Sequence, residues 1–328
     1  MLFHDKQLGR PLPIQDAIAT DESGNGYALR MVNANSLMFC DLTKSAASIG
    51  HRYLPATAAG HIAYWFGADP VAVARAIPVS FKSRGRLLTR FMGHDFHRAY
   101  HIRLNRPQVC PSCLDEYGRA FAVWDISLVT SCPVHRNRLM DFCLDCGRRL
   151  SWRRPDLWTC QCKAEFHCPE GDEASADELW LSQHIGDLLY HCRGPSGRNA
   201  SHREILTAFS LDVLVRVIRA LGISSELTGK DIVPGRVTRI LTTAEATTII
   251  SRAFSRLSGI LQSERMAQAD SLSLHLNELR DLHDNAEGPG VSRLHGLLNI
   301  VALSDRRFAL LKSSSNQLNL FLEHGNNA

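Results

Sequence analysis

The sequence predicts a mainly α-helical protein with small β elements in its middle, and three observations predict it. Apolar residues recur at helical spacing over much of the first hundred residues. Cys and His then occur in close pairs between Cys110 and Cys162. An apolar stripe of helical period begins near Leu206, and further helical patterns follow. The chain of 328 residues is long enough for one large domain or two to three smaller ones.

Residues 1–106 form the first predicted region, which we expect to be helical. Pro70 is well placed as the first residue of a short helix, with Asp69 as its N-cap and Pro78 beyond its end. A turn containing Gly67 precedes this helix. Short helices joined by such a turn are typical of a helix-turn-helix, and they suit a small helical bundle equally well.

Residues 107–168 form the second predicted region, and its Cys and His residues predict two structural zinc ions. Structural zinc is bound by four Cys or His ligands in a tetrahedron. The four pairs supply two complete sets in chain order. The first set is Cys110, Cys113, Cys132 and His135, and the second is Cys143, Cys146, Cys160 and Cys162.

Two alternatives remain open for the ligands. In a cross-braced arrangement the first pair shares a metal with the third pair. His167 or Cys168 could also replace one member of the pair formed by Cys160 and Cys162. Residues 121–129 are rich in β-branched and aromatic side chains, which favours a strand between the pairs. Gly147 allows a tight turn beside the metal.

Residues 177–324 form the third predicted region, a C-terminal helical bundle. Ser201 and Glu204 match a capping box at the start of a helix that would end near Gly222. Further helices are predicted at residues 243–262, 264–283, 291–303 and 307–322. We expect the core face of one of them to carry Leu272, Leu276, Leu279 and Leu282.

The charge distribution favours a polyanion partner, although the net charge is only +4. Residues 82–154 contain fourteen Lys or Arg against six Asp or Glu, whereas residues 165–187 contain seven acids and no Lys or Arg. A basic segment of this kind is expected in a nucleic-acid-binding protein, and it is also compatible with a solvated surface. The candidate contacts are Lys82, Arg84, Arg86, Arg90, Arg153 and Arg154.

Catalysis and membrane insertion are not expected. Both ligand sets are complete, which leaves no open coordination position for a substrate. The chain has no His-Glu-x-x-His motif, no phosphate-binding Gly-rich loop and no nucleophile elbow. Residues 1–21 lack the pattern of a signal peptide, and no apolar run approaches bilayer length. We therefore expect a cytoplasmic protein whose thiols stay reduced.

The zinc segment resembles the TniQ family of bacterial transposition proteins. The similarity lies in Cys110-Pro-Ser-Cys113, in Trp124, in Cys132-Pro-Val-His135 and in Cys143-Leu-Asp-Cys146. The start of the chain is similar at Arg10-Pro-Leu-Pro13, at residues 21–23 and at residues 29–30. It departs from the family pattern at residues 24–26, Gly-Asn-Gly.

The resemblance implies an N-terminal helix-turn-helix, two zinc modules and a helical C-terminal part. It implies a protein that binds DNA and partner proteins and selects or licenses the insertion site of a transposon. The implied partners are a transposase, an AAA+ ATPase, in some members a CRISPR RNA-guided complex, and a second copy of the chain. The alternative is a zinc-finger transcription regulator unrelated to transposition.

Overall fold

The computed structural model describes residues 9–46, 52–168, 171–191, 201–223, 239–263 and 274–304. The chain divides into two compact units. The first comprises Met1–Gly194 and Arg239–Ala246, and the second comprises Pro195–Thr238 and Thr247–Ala328. The predicted N-terminal and metal-binding regions both fall inside the first unit. The division into three regions at residues 106 and 177 stays a prediction.

Four helices open the first unit, in agreement with the predicted helical start: α1 Gly24–Ala34, α2 Phe39–Ala46, α3 Ala59–Phe66 and α4 Pro70–Ala76. The N-cap prediction at α4 is confirmed, because the Asp69 carboxylate accepts hydrogen bonds from the N–H groups of Val71 and Ala72. Ser23 caps α1, so the glycines at 24 and 26 do not delay the start of this helix. Instead they permit close packing, since a Cβ on Gly24 would lie 2.7 Å from the Ala76 carbonyl oxygen.

A three-stranded antiparallel sheet follows α4, where the sequence predicts mainly helix. Its strands are β1 Val79–Ser83, β2 Arg86–Phe91 and β3 His94–Phe96, in the order β1-β2-β3. A two-residue turn joins β1 to β2, with φ of 47° at Arg84 and 76° at Gly85. Positive φ at both positions is the geometry of a tight hairpin turn. The helical prediction is wrong here because this turn pairs the two strands.

The segment from residue 99 to residue 168 contains little regular structure apart from α5, Pro111–Tyr117. The prediction of a strand at residues 121–129 is wrong, since Ala122–Asp125 form a 3-10 helix. Phe121 and Ile126 on either side of it make only isolated bridges, with Glu22 and Ile102. The β elements of this region are single bridges, which include Val109 with Met140 and Ser131 with Arg138.

A buried polar network centres on Asp141, which lies between the predicted ligand sets. The guanidinium groups of Arg103 and Arg149 each lie 3.3 Å from its carboxylate. The backbone N–H of Thr243 donates to the same oxygen at 3.1 Å. Arg103 is fully buried, and this burial lowers its pKa to about 10. The network therefore joins residues 239–246 to the metal-binding region of the first unit.

Helix α6, Ala176–Leu189, completes the described helices of the first unit. A capping box starts it, with the Ser175 hydroxyl accepting from the Glu178 N–H and the Glu178 carboxylate accepting from the Ser175 N–H. Glu178 is buried and also forms an ion pair with Arg138, at 3.1 Å.

The second unit is helical, as predicted. Its helices are α7 Ser201–Leu206, α8 Leu211–Gly222, α9 Thr243–Ser263, of which the first four residues belong to the first unit, α10 Leu276–Asn285 and α11 Val291–Ser304. The single helix predicted from Ser201 to Gly222 is broken, because Ser210 adopts extended geometry and starts α8 afresh. Gly222 is the last residue of α8, as predicted, and a Cβ there would clash with the Ile249 carbonyl oxygen.

Two buried features hold α8 against α10. Leu279 and Leu282 are fully buried, as expected for a core face. Arg216 is also buried and forms ion pairs with Glu278 and Asp281 of α10. Leu272 and the helix predicted at residues 307–322 lie outside the described residues. Within the described parts of the chain, no helix combines the length and apolar character needed to cross a membrane.

Candidate metal centres

The first predicted ligand set is brought together by α5 and by a tight turn. Cys110 is the N-cap residue of α5, and Cys113 lies in its first turn. The Sγ atom of Cys113 lies 3.4 Å from that of Cys132 and 3.2 Å from Nδ1 of His135. Nδ1 of His135 lies 3.6 Å from the sulfurs of Cys110 and Cys132. A zinc tetrahedron with arms of about 2.3 Å has edges of roughly 3.8 Å, so these separations suit one ion.

His135 presents Nδ1 to the sulfurs, while its other nitrogen faces a carboxylate. Nε2 of His135 lies 3.3 Å from Oε2 of Glu116, which is half exposed on α5. A carboxylate at this position fixes the tautomer and orientation of a metal-binding imidazole. Sequence reasoning missed Glu116. Its signal was the spacing of three residues from Cys113, which places both on one face of a helix.

The second predicted set forms another cluster of four sulfurs. Sγ of Cys143 lies 3.7 Å from that of Cys162, and Sγ of Cys146 lies 3.8 Å from that of Cys160. The ligand atoms in each of the two sets all lie within 4.8 Å of one another. The structure thus groups the pairs sequentially and not in the cross-braced arrangement.

The alternative ligands lie elsewhere. Sγ of Cys168 lies 3.2 Å from the hydroxyl of Ser112, on α5. His167 is exposed and is not a member of either cluster. The fourth position of the second cluster is held by Cys162.

The turns at Cys132 and Cys143 have the same hydrogen-bonding pattern. The N–H of Arg136 donates to the Cys132 carbonyl at 2.8 Å, and the N–H of Gly147 donates to the Cys143 carbonyl at 2.9 Å. The residue after the second ligand is left-handed in both, with φ of 63° at Arg136 and 65° at Gly147. The predicted role of Gly147 is confirmed. Arg136 adopts the same left-handed conformation although it carries a side chain.

The electrostatics of the first cluster favour a bound cation. The neighbouring thiol groups of Cys110 and Cys132 raise the pKa of Cys113 far above its ordinary value. Hydrogen bonds with Cys110 and Cys113 lower the pKa of Cys132. Three close sulfurs therefore cannot all ionise at neutral pH without a positive charge between them. A separation of 3.4 Å between two sulfurs is also far longer than the ~2.05 Å of a disulfide.

In the second cluster one sulfur accepts a hydrogen bond from a cationic side chain. Nε of Arg148 donates to Sγ of Cys146 at 3.5 Å, and this hydrogen bond lowers the pKa of Cys146 to about 6. Burial raises the pKa of Cys143 in the same cluster. Four thiolates around one divalent ion leave net negative charge, which the Arg148 guanidinium partly offsets.

The candidate nucleic-acid contacts divide into two groups. Lys82, Arg84, Arg86 and Arg90 are exposed on the β1–β2 hairpin. Arg90 is held by both carboxylate oxygens of Asp95 and lies over the Phe81 ring. These four cations share one surface element.

Arg153 is half-buried, and Arg154 is buried, which contradicts the prediction that Arg154 contacts nucleic acid. The Arg154 guanidinium donates to the carbonyl oxygens of Ser151 and Asp156 and lies 5.4 Å from the centre of the Trp152 ring. Burial lowers its pKa to about 10. Arg154 thus supports the loop of the second cluster and is not available to a phosphate.

Comparison with known families tests the resemblance. Residues 13–139 match the TniQ family model. This stretch is the TniQ region of the chain, and the family assignment is confirmed there. The match includes the whole first cluster and ends before Cys143, so it is shorter than the similarity read from the sequence. None of the curated proteins compared with the chain matches it. A TniQ region associates the protein with transposition.

Proposed function

We propose that this protein is a non-catalytic adaptor in transposition, which binds DNA and partner proteins and selects or licenses the insertion site for a transposase and an AAA+ ATPase. The match of residues 13–139 to the TniQ family carries this proposal. A transcription regulator with zinc fingers would have no reason to match that family, so we prefer the adaptor.

Two structural zinc ions are part of the proposal. The first would be held by Cys110, Cys113, Cys132 and His135, and the second by Cys143, Cys146, Cys160 and Cys162. Each set supplies four ligands, the number that closes a tetrahedral structural site. Zinc would supply folding free energy to a segment with little regular secondary structure. We accordingly propose no enzymatic activity.

For the DNA-binding part, we propose that α3 and α4 form the helix-turn-helix implied by the family. The two helices are joined by a turn in which Gly67 has φ of 69° and Asp69 caps α4. Such short helices with a tight, Gly-containing connection are typical of the motif. A second copy of the chain and a CRISPR RNA-guided complex are further proposed partners, on the resemblance alone.

Insertion assays test the adaptor role. The gene is deleted from the transposon that carries it and is then restored as wild type or as Cys113→Ser. We expect deletion to abolish targeted insertion, the wild type to restore it and the ligand variant to fail. Insertion with unchanged frequency and site distribution in the deletion strain would contradict the proposal.

A pull-down complements the insertion assay. The tagged protein should retain the transposase or the AAA+ ATPase of the proposed transposition machinery. Glu165→Gln is the matched control in both assays, because Glu165 is exposed next to the second cluster without being a ligand. Unchanged behaviour of Glu165→Gln is expected for an adaptor, whereas loss of insertion or of partner retention in this variant would favour a catalytic role for Glu165.

A further inference from the structure

The hairpin of residues 79–91, formed by β1, β2 and their turn, is a cationic element on a buried base. Its thirteen residues include Lys82, Arg84, Arg86 and Arg90 and no Asp or Glu. Phe91 and Met92 at the base are buried. The backbone groups of Met92 and Arg75 also bond to each other, with the Met92 N–H donating at 3.0 Å. The base is thus anchored to α4, whereas the turn and the residues beside it are exposed.

The turn residue Arg84 is unusual for its backbone conformation. It has φ of 47°, in the left-handed region that Asn and Gly adopt more readily than Arg. Asn at this position would favour the turn more strongly. A charged side chain at this conformational cost favours a role for the charge.

The cross-strand pairs distribute the cations around the tip. Ser83 pairs with Arg86, and Lys82 pairs with Leu87, so Arg86 and Lys82 lie on opposite faces of the hairpin. Arg84 lies between them in the turn. Arg90 pairs with Val79 and lies further from the tip, towards the base of the hairpin. The three tip residues are therefore the ones placed to meet a polyanion.

Helix α4, by contrast, offers little for reading bases. Its exposed residues after Pro70 are Val71, Ala74 and Arg75, and the Arg75 guanidinium donates to the Met92 carbonyl oxygen at 3.4 Å. Discrimination between base pairs in the major groove depends largely on Arg, Lys, Asn or Gln aimed at base edges. Val71 and Ala74 can only make apolar contacts.

We propose that the tip of this hairpin binds the phosphate backbone of duplex DNA, without selecting a base sequence, and that α4 is not a base-reading helix. This inference rests on the proposed DNA-binding function. Under this inference, Lys82, Arg84 and Arg86 contact phosphates, while Arg90 stabilises the sheet. This chain would then license the insertion site, and the partners would supply any choice of base sequence.

Fluorescence anisotropy with labelled duplexes tests the proposal on the full-length, zinc-loaded protein. Three unrelated sequences of equal length are compared at several salt concentrations. We expect their affinities to agree within about threefold, and the affinity to fall steeply with salt. A preference above about tenfold for one sequence would overturn the inference, as would absence of duplex binding at about 50 mM salt.

The hairpin variant carries Lys82→Gln, Arg84→Asn and Arg86→Gln. Removal of three phosphate contacts should reduce the slope of log affinity against log salt by about 3 and weaken binding roughly 100-fold at 0.1 M salt. The matched control carries Arg10→Gln, Lys44→Gln and Arg52→Gln, which removes three exposed cations elsewhere. Equal loss in both variants would assign binding to diffuse charge and overturn the proposal.

Folding is separated from binding by two measurements. Arg84→Asn alone should keep or raise the melting temperature, because Asn suits the left-handed turn, while it weakens DNA binding. Arg90→Gln should lower the melting temperature and change the affinity less than Arg84→Asn does. The reverse order of the two effects on affinity would contradict the assignment, and tighter binding to single-stranded RNA of equal length would overturn the choice of duplex DNA.

The experiment also separates this inference from the adaptor role. If the hairpin variant binds DNA as the wild type does and the partner ATPase or transposase is still retained, the inference fails and the adaptor proposal stands. If binding depends on the hairpin while neither partner is retained and insertion does not need the gene, the adaptor proposal fails and the inference stands.

Discussion

The two candidate metal clusters use similar turns but differ in their surroundings. In the first cluster all three sulfurs are buried, and α5 supplies two of the four ligands. In the second, Cys146 and Cys162 are partly exposed, and no described helix contributes a ligand. The family match contains the first cluster and ends before the second. The comparison indicates that the first cluster belongs to the core of the first unit, and that the second stabilises a more local loop region.

Replacing one ligand in each cluster is expected to give the largest difference between the two clusters. Cys113→Ser leaves a buried site that cannot close around an ion, and structural zinc contributes on the order of 10 kcal/mol, so we expect the first unit to lose protease resistance. Cys162→Ser should affect residues 143–168 alone. Limited proteolysis with zinc analysis of both variants checks this, and equal damage from the two substitutions would refute the difference.

Zinc removal should show the same difference between the two clusters, as the order in which they release zinc. A chelator is expected to take zinc from the second cluster first, because Cys146 and Cys162 are accessible while the first cluster must open before it reacts. Thiol alkylation followed by mass spectrometry identifies the cysteines that become reactive in each phase. Early labelling of Cys110 and Cys113 would contradict this order.

The segment that connects the ligand pairs of the first cluster contains a buried acid. Burial raises the pKa of Asp125 from 3.8 to about 7, although its carboxylate accepts a hydrogen bond from Ser23 at 2.6 Å. The folded protein keeps this proton to about pH 7, whereas the unfolded chain loses it near pH 4. The contribution of Asp125 to the free energy of unfolding therefore falls as the pH rises from about 4 to 7.

Asp125→Asn removes that titration. We expect the variant to gain stability relative to the wild type as the pH rises, by roughly 2 kcal/mol between pH 5 and pH 8. Denaturant unfolding of both proteins at each pH gives the difference, in which the titration of the metal ligands cancels. A difference that is independent of pH would show that Asp125 is ionised throughout this range.

The smallest expected effects concern the matching turns. Gly147→Ala should destabilise the second turn by about 1 kcal/mol, because φ is 65° there. Arg136→Gly should be neutral or stabilise the first turn by up to about 1 kcal/mol, since φ is 63° at Arg136. Chemical denaturation of the zinc-loaded protein measures both. Destabilisation by Arg136→Gly would mean that side-chain contacts of Arg136 outweigh its backbone strain.

The grouping of the metal ligands could be predicted from the sequence because it is local chemistry. Each pair is separated by one or two residues, and a short turn is enough to bring it to a common point. The helix start at Pro70 was predictable for the same reason, since Asp69 caps its own neighbours. The break before Leu211 was not, because the apolar period continues through it and only the backbone at Ser210 interrupts the helix.

The errors lie where distant contacts or unusual backbone decide the outcome. The hairpin after α4 depends on Arg84 in a left-handed turn, a position where the sequence gives no Asn-Gly or Asp-Gly signal. Arg154 looks like a surface cation in the sequence. It is buried because carbonyl oxygens and the Trp152 ring surround it, and no local pattern reveals that arrangement.

Zinc content combined with X-ray absorption at the zinc edge tests the central claim most directly. Carefully prepared protein should contain two zinc ions per chain, each four-coordinate, with seven sulfur ligands and one nitrogen ligand shared between them. His135→Cys should convert the average to sulfur alone. Protein that is folded without metal, or a zinc ion with a bound water in place of a protein ligand, would contradict the account of two closed structural sites.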